Sequence, residues 1–189
     1  MKQHLTILLL FVLCIGYAQD RNLGFTYNIP AGLLMENGGR FINVKSAPFN
    51  AKGDGITDDT QAFIDAYTYW ATLIGDKTAD KDPDRSFVIY IPDGTYLVSN
   101  TIIYDDPMIP GYCNNCEGVT QLRFIGQSRE NTIVKLKDNA QGFSTGSPKE
   151  VLSFGKKDFN NTAAANNIRN LTINVGSGNP DAIGLKMGG

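Results

Sequence analysis

Asp54, Asp58 and Asp59 crowd into the stretch GDGITDDTQAF (53–63), and a second acidic pair, Asp105-Asp106, stands just before Pro107. Carboxylates at such spacing are the raw material of general acid–base work. Two other groups have reactive chemistry: Arg123, between the apolar Leu122 and Phe124, and the thiols Cys113 and Cys116 of the loop GYCNNCEG. Asp80, Asp82 and Asp84 alternate like the opening of a calcium loop, but Arg85 and Ile91 occupy the positions where that loop needs glycine and glutamate. That segment reads as a solvated connector.

The setting decides what these groups can do. The chain opens MKQHLTILLLFVLCIGYAQ, with one lysine, an apolar run from Leu5 to Ile15 and small residues Gly16 and Ala18 ahead of a cleavage point. This is the pattern of a secretory signal over 1–18, and the run is shorter than the roughly 20 apolar residues of a membrane span. Removing 18 of the 189 residues leaves 171, takes away His4, the only histidine, and moves the net charge from −2 to −3 with the loss of Lys2. A Ser-His-Asp or Cys-His nucleophile and a histidine-ligated zinc are thereby excluded from 19–189. The acidic balance gives no footprint for nucleic acid. The expected location is secreted or periplasmic, with no membrane association after cleavage. In an exported chain the CNNC pair reads as a Cys113–Cys116 disulfide, with free thiols or a redox or metal role as alternatives.

Elements must position these groups. Asp58 followed by Gln61 has the capping-box spacing, and from Phe63 the residues Ala66, Tyr67, Trp70, Leu73 and Ile74 recur at three and four, with Gly75 as the stop. An amphipathic helix is expected over 58–74, and the aspartates are read as its start, with Gly53 and Gly55 making the turn before it. After the connector the period becomes two. Strand runs are expected at 87–92, 95–104, 121–126, 132–138, 151–155, 168–176 and 182–188, with Val134 and Leu136, Leu171, Ile173 and Val175, and Ile183, Leu185 and Met187 facing inward. No helical pattern follows Gly75, so sandwich, barrel and solenoid all satisfy the pattern. In a solenoid the first coil needs a cover for its apolar end, and the helix before the first strand run suits that task.

The segments FINVKSAPFNAKGDGITDDTQAFIDAY, VIYIPDGTYLVSNTI, LRFIGQSRENTIVKLKD and IRNLTINVGSGNPDAIGL, in that order, resemble the start of the right-handed parallel β-helix of the pectate-lyase superfamily, in the branch of rhamnogalacturonases, polygalacturonases and exo-β-1,3-glucanases. The resemblance runs over about residues 40–185. Its G-D-G-x-x-D-D-T signature is met by Gly53, Asp54, Gly55, Asp58, Asp59 and Thr60, and its P-x-G-x-Y signature by Pro92, Gly94 and Tyr96; Asn50 departs from the usual glycine before Ala51. It implies an all-β solenoid with an N-terminal capping helix: a segment at 19–39, then a β-helix domain over 40–189 holding the cap and first coils. Coils of about two dozen residues would give four or five turns after Phe87. The strand-like pattern still running at Met187-Gly188-Gly189 suggests a truncated product.

The resemblance implies a polysaccharide as partner and either of two reactions. Inverting hydrolysis needs two carboxyl groups about 6.5–9.5 Å apart, and Asp105 and Asp106 meet on one bond only if the backbone turns between them; otherwise they form a DDP turn. Lysis of a uronate needs a basic residue, for which outward-facing Arg123 is the candidate beside its reading as a surface charge, and a cation such as calcium at the sugar carboxylate. No cofactor is identified from the residues themselves. The rival expectation is a non-catalytic glycan-binding or structural β-helix, of adhesin or tailspike type.

Overall fold

A computed structural model describes residues 26, 28–29, 33–34, 40–75, 87–104, 122–144, 146–154 and 167–187. Eleven strands and one helix are defined among them: β1 (Phe41–Asn43), β2 (Asp54–Asp58), α1 (Thr60–Gly75), β3 (Val88–Ile91), β4 (Gly94–Val98), β5 (Ile102–Tyr104), β6 (Arg123–Gly126), β7 (Thr132–Leu136), β8 (Lys149–Phe154), β9 (Asn167–Arg169), β10 (Thr172–Asn174) and β11 (Ala182–Met187). Every pairing between them is parallel. The first sheet has the order β1-β3-β6-β9, the second β2-β4-β7-β10 and the third β5-β8-β11. Consecutive strands therefore lie in different sheets, and each strand pairs with its counterpart one circuit later, which is a chain wound into stacked coils.

The ladders put like residues above one another. Register aligns Ile42, Ile89, Phe124 and Ile168 in the first sheet, and Tyr96, Val134 and Ile173 in the second. All but the last-coil members Ile168 and Ile173 are completely buried. Burial of each such side chain contributes about 1.5–3 kcal/mol. The alternation of Val134 and Leu136 with Lys135 and Lys137 thus reports one wall of a solenoid, as expected. Ile183, Leu185 and Met187 depart from expectation: they are 40%, 37% and 47% exposed. They belong to β11, hydrogen-bonded on one side only, to β8, so the last described coil gives these side chains neighbours from one direction.

Two long runs break at corners. The run 95–104 divides into β4 and β5 at Ser99-Asn100-Thr101, and 168–176 divides into β9 and β10 around Asn170, which has a left-handed φ of 56°. Coils are longer than two dozen residues: register carries Val88 to Arg123 and Arg123 to Asn167, 35 and 44 positions apart. The extra length lies between strands, at 105–122 in the first circuit and at both 137–148 and 155–166 in the second, so three coils rather than four or five follow Phe87 among the described residues.

The helix arises from its apolar stripe. Phe63, Ala66, Tyr67 and Trp70 are buried, and Phe63 stands edge-on to Tyr96 at 5.4 Å and against Phe124 at 5.9 Å. The expected capping box does not form. The first helical bond runs from the Phe63 amide to the Asp59 carbonyl, yet the Asp59 carboxylate turns away to accept from the amides of Lys52 (2.6 Å) and Gly53 (2.9 Å), while Gln61 bonds Asp65. Two loop amides thus take the carboxylate in place of the helix's own donors. Asp58 takes the capping duty, accepting from the Thr60 amide at 2.9 Å and its hydroxyl at 2.5 Å.

The stretch 54–58, where a turn at Gly53–Gly55 and a helix from Asp58 were expected, is an edge strand with a bulge. Asp54 aligns with Thr95 and Asp58 with Leu97, so five residues oppose three. The excess carries Ile56 outward, 83% exposed, and Asp54 closes the bulge by accepting from the amides of Ile56 and Thr57 and from the Thr57 hydroxyl. At the Pro92-Asp93-Gly94 corner, the Asp93 carboxylate accepts from Ser128 (2.7 Å) and Thr132 (3.0 Å) of the next coil, and the Tyr96 hydroxyl donates to the Pro92 carbonyl at 2.6 Å.

Candidate functional site

The corner between the second and third sheets holds an open groove of about 690 Å³ lined by Ser99, Asn100, Lys137, Asn139, Ala140, Gln141, Gly142 and Lys149. All but Lys149 come from the segments that follow strands. Ser99 and Asn100 follow β4, residues 137–142 follow β7, and Lys149 opens β8. Because Val98 aligns with Leu136, the polar residues after one strand stack on those after the next.

The groove is held from below by Asn179, which is 6% exposed. Its amide nitrogen donates to the carbonyls of Lys137 (2.9 Å) and Val175 (2.8 Å), and its oxygen accepts from the Ala140 amide at 2.7 Å. The bond to Ala140 is buried and the other two are part-buried, so leaving them unmade is costly. Asn139, with φ of 52°, and Gly142, with φ of 85°, provide the left-handed turns that open the wall. Lys149 crosses the groove: its ammonium donates to the Asn100 side-chain oxygen at 2.7 Å and lies 4.5 Å from the Phe143 ring centroid. A cation held between an amide oxygen and an aromatic face keeps a defined position.

Two carboxylates stand around this corner. Burial pushes the Asp58 carboxyl upward, but hydrogen bonds from Ser99 and Thr60 and the charge of Lys137 outweigh it and hold the group below its ordinary value. The amide of Ser177 and, against a small burial effect, the charge of Lys135 hold Asp138 low as well. Both are therefore anions near neutral pH, suited to orienting donors and unsuited to giving up a proton. The lining itself presents two ammonium groups, three primary amides and a hydroxyl, with no carboxylate. Such a set binds hydroxyl and carboxylate oxygens.

Among the residues singled out from sequence, Asp105, Asp106, Cys113 and Cys116 lie outside the described residues. Arg123 is exposed on the outer side of the first sheet, between Val88 and Asn167 in register, on a different sheet from every groove residue. Asp54, Asp58 and Asp59 are absorbed in the hydrogen bonds described above. The groove residues were missed. Their signal was the polar step after an alternating run, SN after TYLV and KDN after TIVKL, which becomes visible once the two runs are stacked. No group of three or more His, Cys, Asp or Glu side chains among the described residues is placed to hold a metal.

The family model for rhamnogalacturonase A/epimerase, pectate lyase-like, matches residues 41–188. The chain belongs to this family. The pectate-lyase-like chain is 33% identical over 110 residues to a glucan 1,3-beta-glucosidase of Cochliobolus carbonum, covering 57% of this chain and 12% of that protein. Among solved structures it is similar to ORF18 of Geobacillus virus E2, with a TM-score of 0.50 and 23% identity over 78% of this chain and 24% of that one. The A-module of a mannuronan C-5 epimerase of Azotobacter vinelandii matches at a TM-score of 0.48 and 22% identity, over 77% of this chain and 32% of the module. The pectate-lyase-like chain thus spans about an eighth of its curated relative. No helix among its described residues is long and apolar enough to cross a membrane.

Proposed function

We propose that this chain is the N-terminal part of an exported enzyme that hydrolyses or lyses a pectin-like or other extracellular polysaccharide, and that the corner groove binds a stretch of that glycan. The observation that carries the proposal is the groove itself, with Lys137, Lys149, Asn100, Asn139 and Gln141 brought to one wall in a member of a family of carbohydrate-active proteins. In this reading the coils wind right-handed, as parallel crossovers nearly always do, and α1 covers the apolar end of the first coil. Residues 1–18 direct export. The outward Arg123 and the acids Asp105 and Asp106 remain the candidates for further contact with substrate, and a lyase reaction would bring calcium to the uronate carboxylate.

One observation favours a second reading, a glycan-binding module without catalysis: the groove lining contains no carboxylate, so a hydrolytic pair is not assembled there. Incubating the native full-length product with polygalacturonate, alginate and a β-1,3-glucan separates the readings. New reducing ends together with ultraviolet absorbance of unsaturated uronates mean lysis, and reducing ends alone mean hydrolysis. Retention on a glycan that is not shortened supports the binding module, and neither cleavage nor retention on any of the three refutes both.

A further inference from the structure

We propose that Asp58 and Thr60 are positioning residues for the groove, acting through hydrogen bonds on Ser99, one coil further along the chain. This rests on the reading of the groove as the glycan site. The connection is direct. The Thr60 hydroxyl donates to Asp58 Oδ1 at 2.5 Å, which leaves its oxygen lone pair free to accept, and it accepts from the Ser99 amide at 2.9 Å. A hydroxyl whose proton is committed to a carboxylate is a better and better-aimed acceptor than one free to rotate. Two backbone bonds fix the same junction: the Asp59 amide donates to the Leu97 carbonyl at 2.8 Å, and the Lys137 amide donates to the Val98 carbonyl at 2.7 Å.

Ser99 and Lys137 both line the groove, and no helix residue does. The segment Asp58-Asp59-Thr60 is thus a hub with separate outlets. Asp59 serves the loop at Lys52 and Gly53, whereas Asp58 and Thr60 serve the wall at Ser99. The hydrogen bond that Ser99 makes to the Asp58 carboxylate and the nearby charge of Lys137 support the same assignment. A purely local helix start would need the Asp58 bonds to Thr60 but would gain nothing from the reach to the next coil.

The test compares Thr60→Val, Thr60→Ser and Asp58→Ala with the parent chain by amide hydrogen exchange, which needs no ligand, and by binding to polygalacturonate. The expected result is exchange at the Ser99 amide faster by about tenfold in Thr60→Val and Asp58→Ala. Thr60→Ser should keep the parent rate, and the amides of Phe124 and Val151 should be unchanged in all three. Affinity for polygalacturonate should fall by about threefold or more in the two damaging variants and be retained by Thr60→Ser. Unchanged exchange at Ser99 in Thr60→Val, or faster exchange spread equally over Phe124 and Val151, overturns the assignment. If Ser99 loosens locally while Lys137→Ala and Lys149→Ala bind like the parent, the positioning stands and the glycan reading of the groove falls.

Discussion

The Asp59 carboxylate accepts from the Gly53 amide at 2.9 Å, six residues earlier in the chain, at a position where Gly53 holds a φ of 61° and a Cβ would come within 3.0 Å of the Tyr96 ring. Loop, helix start and first full coil thereby meet at one point. Replacing Asp59 with Ala leaves the part-buried amides of Lys52 and Gly53 without these acceptors, and an orphaned donor costs about 1–3 kcal/mol. A destabilisation of about 3 kcal/mol is expected, lowering the melting temperature by roughly 6–12 °C for a domain of this size. Asp59→Asn, which retains an acceptor oxygen, should lose less. A calorimetric scan in which the two variants match the parent would refute this account.

The last two described coils approach closely at Gly126. A Cβ built there lies 1.9 Å from the carbonyl oxygen of Asn170, a backbone atom in the following coil. Gly126→Ala must push the coils apart or turn the corner differently, so a loss of about 3 kcal/mol or more is expected, read as a lower urea midpoint. Asn170→Gly relieves the left-handed residue of its side chain and should change the midpoint far less.

Asn179 should tolerate neither of its near-isosteres. Asn179→Asp replaces a donor to two carbonyls with a second acceptor, and Asn179→Leu satisfies none of the three groups; either should cost about 2–5 kcal/mol. The groove is built over these bonds, so loss of glycan retention should accompany the loss of stability. An Asn179→Asp protein melting within a degree or so of the parent would contradict the assignment.

Acid should weaken the fold at its first coil. The amide of Thr57, then that of Ile56, lower the Asp54 carboxyl from 3.8 to about 2, and Asp58 and Asp138 are lowered as well. A carboxylate whose folded value lies below its unfolded one contributes stability that is fully present above the unfolded value and is lost as pH falls through the folded one. Urea midpoints should therefore be flat above about pH 5 and decline from about pH 4 toward pH 2. Asp54→Asn should flatten part of that decline.

In the groove, Lys149→Ala and Lys137→Ala should each weaken retention on polygalacturonate by about five- to tenfold, consistent with loss of one charge-assisted hydrogen bond. The effect should shrink as salt is raised, since screening acts on the same charges. Equal loss on a neutral β-1,3-glucan would show that the lysines act by shape rather than charge.

Much of this fold was legible in the residues, for a physical reason. Alternation in TIVKL and the stripe from Phe63 to Trp70 are consequences of burying one face, and burial leaves its mark at each position separately. The strand Asp54–Asp58 was not legible, because a bulged edge strand with exposed aspartates has no buried face to record. Nor was the direction of Asp59 legible, since competition between loop and helix amides is decided by loop geometry. The groove was least visible of all. Paired charges such as Asp105-Asp106 draw attention in a linear reading, whereas Asn100 and Lys149 acquire meaning only when two circuits of chain are laid side by side.

The walls and the corners of this solenoid answer to different constraints. Strand register fixes each wall residue against its counterpart, while the segments between strands, 105–122 in one circuit and 137–148 with 155–166 in the next, make circuits of 35 and 44 residues that keep that alignment. Sequence can therefore be added or exchanged at a corner as an appendix to the ladder. The scaffold is in effect a rack with interchangeable fittings, on which a recognition surface can be rebuilt while the part that folds is left alone.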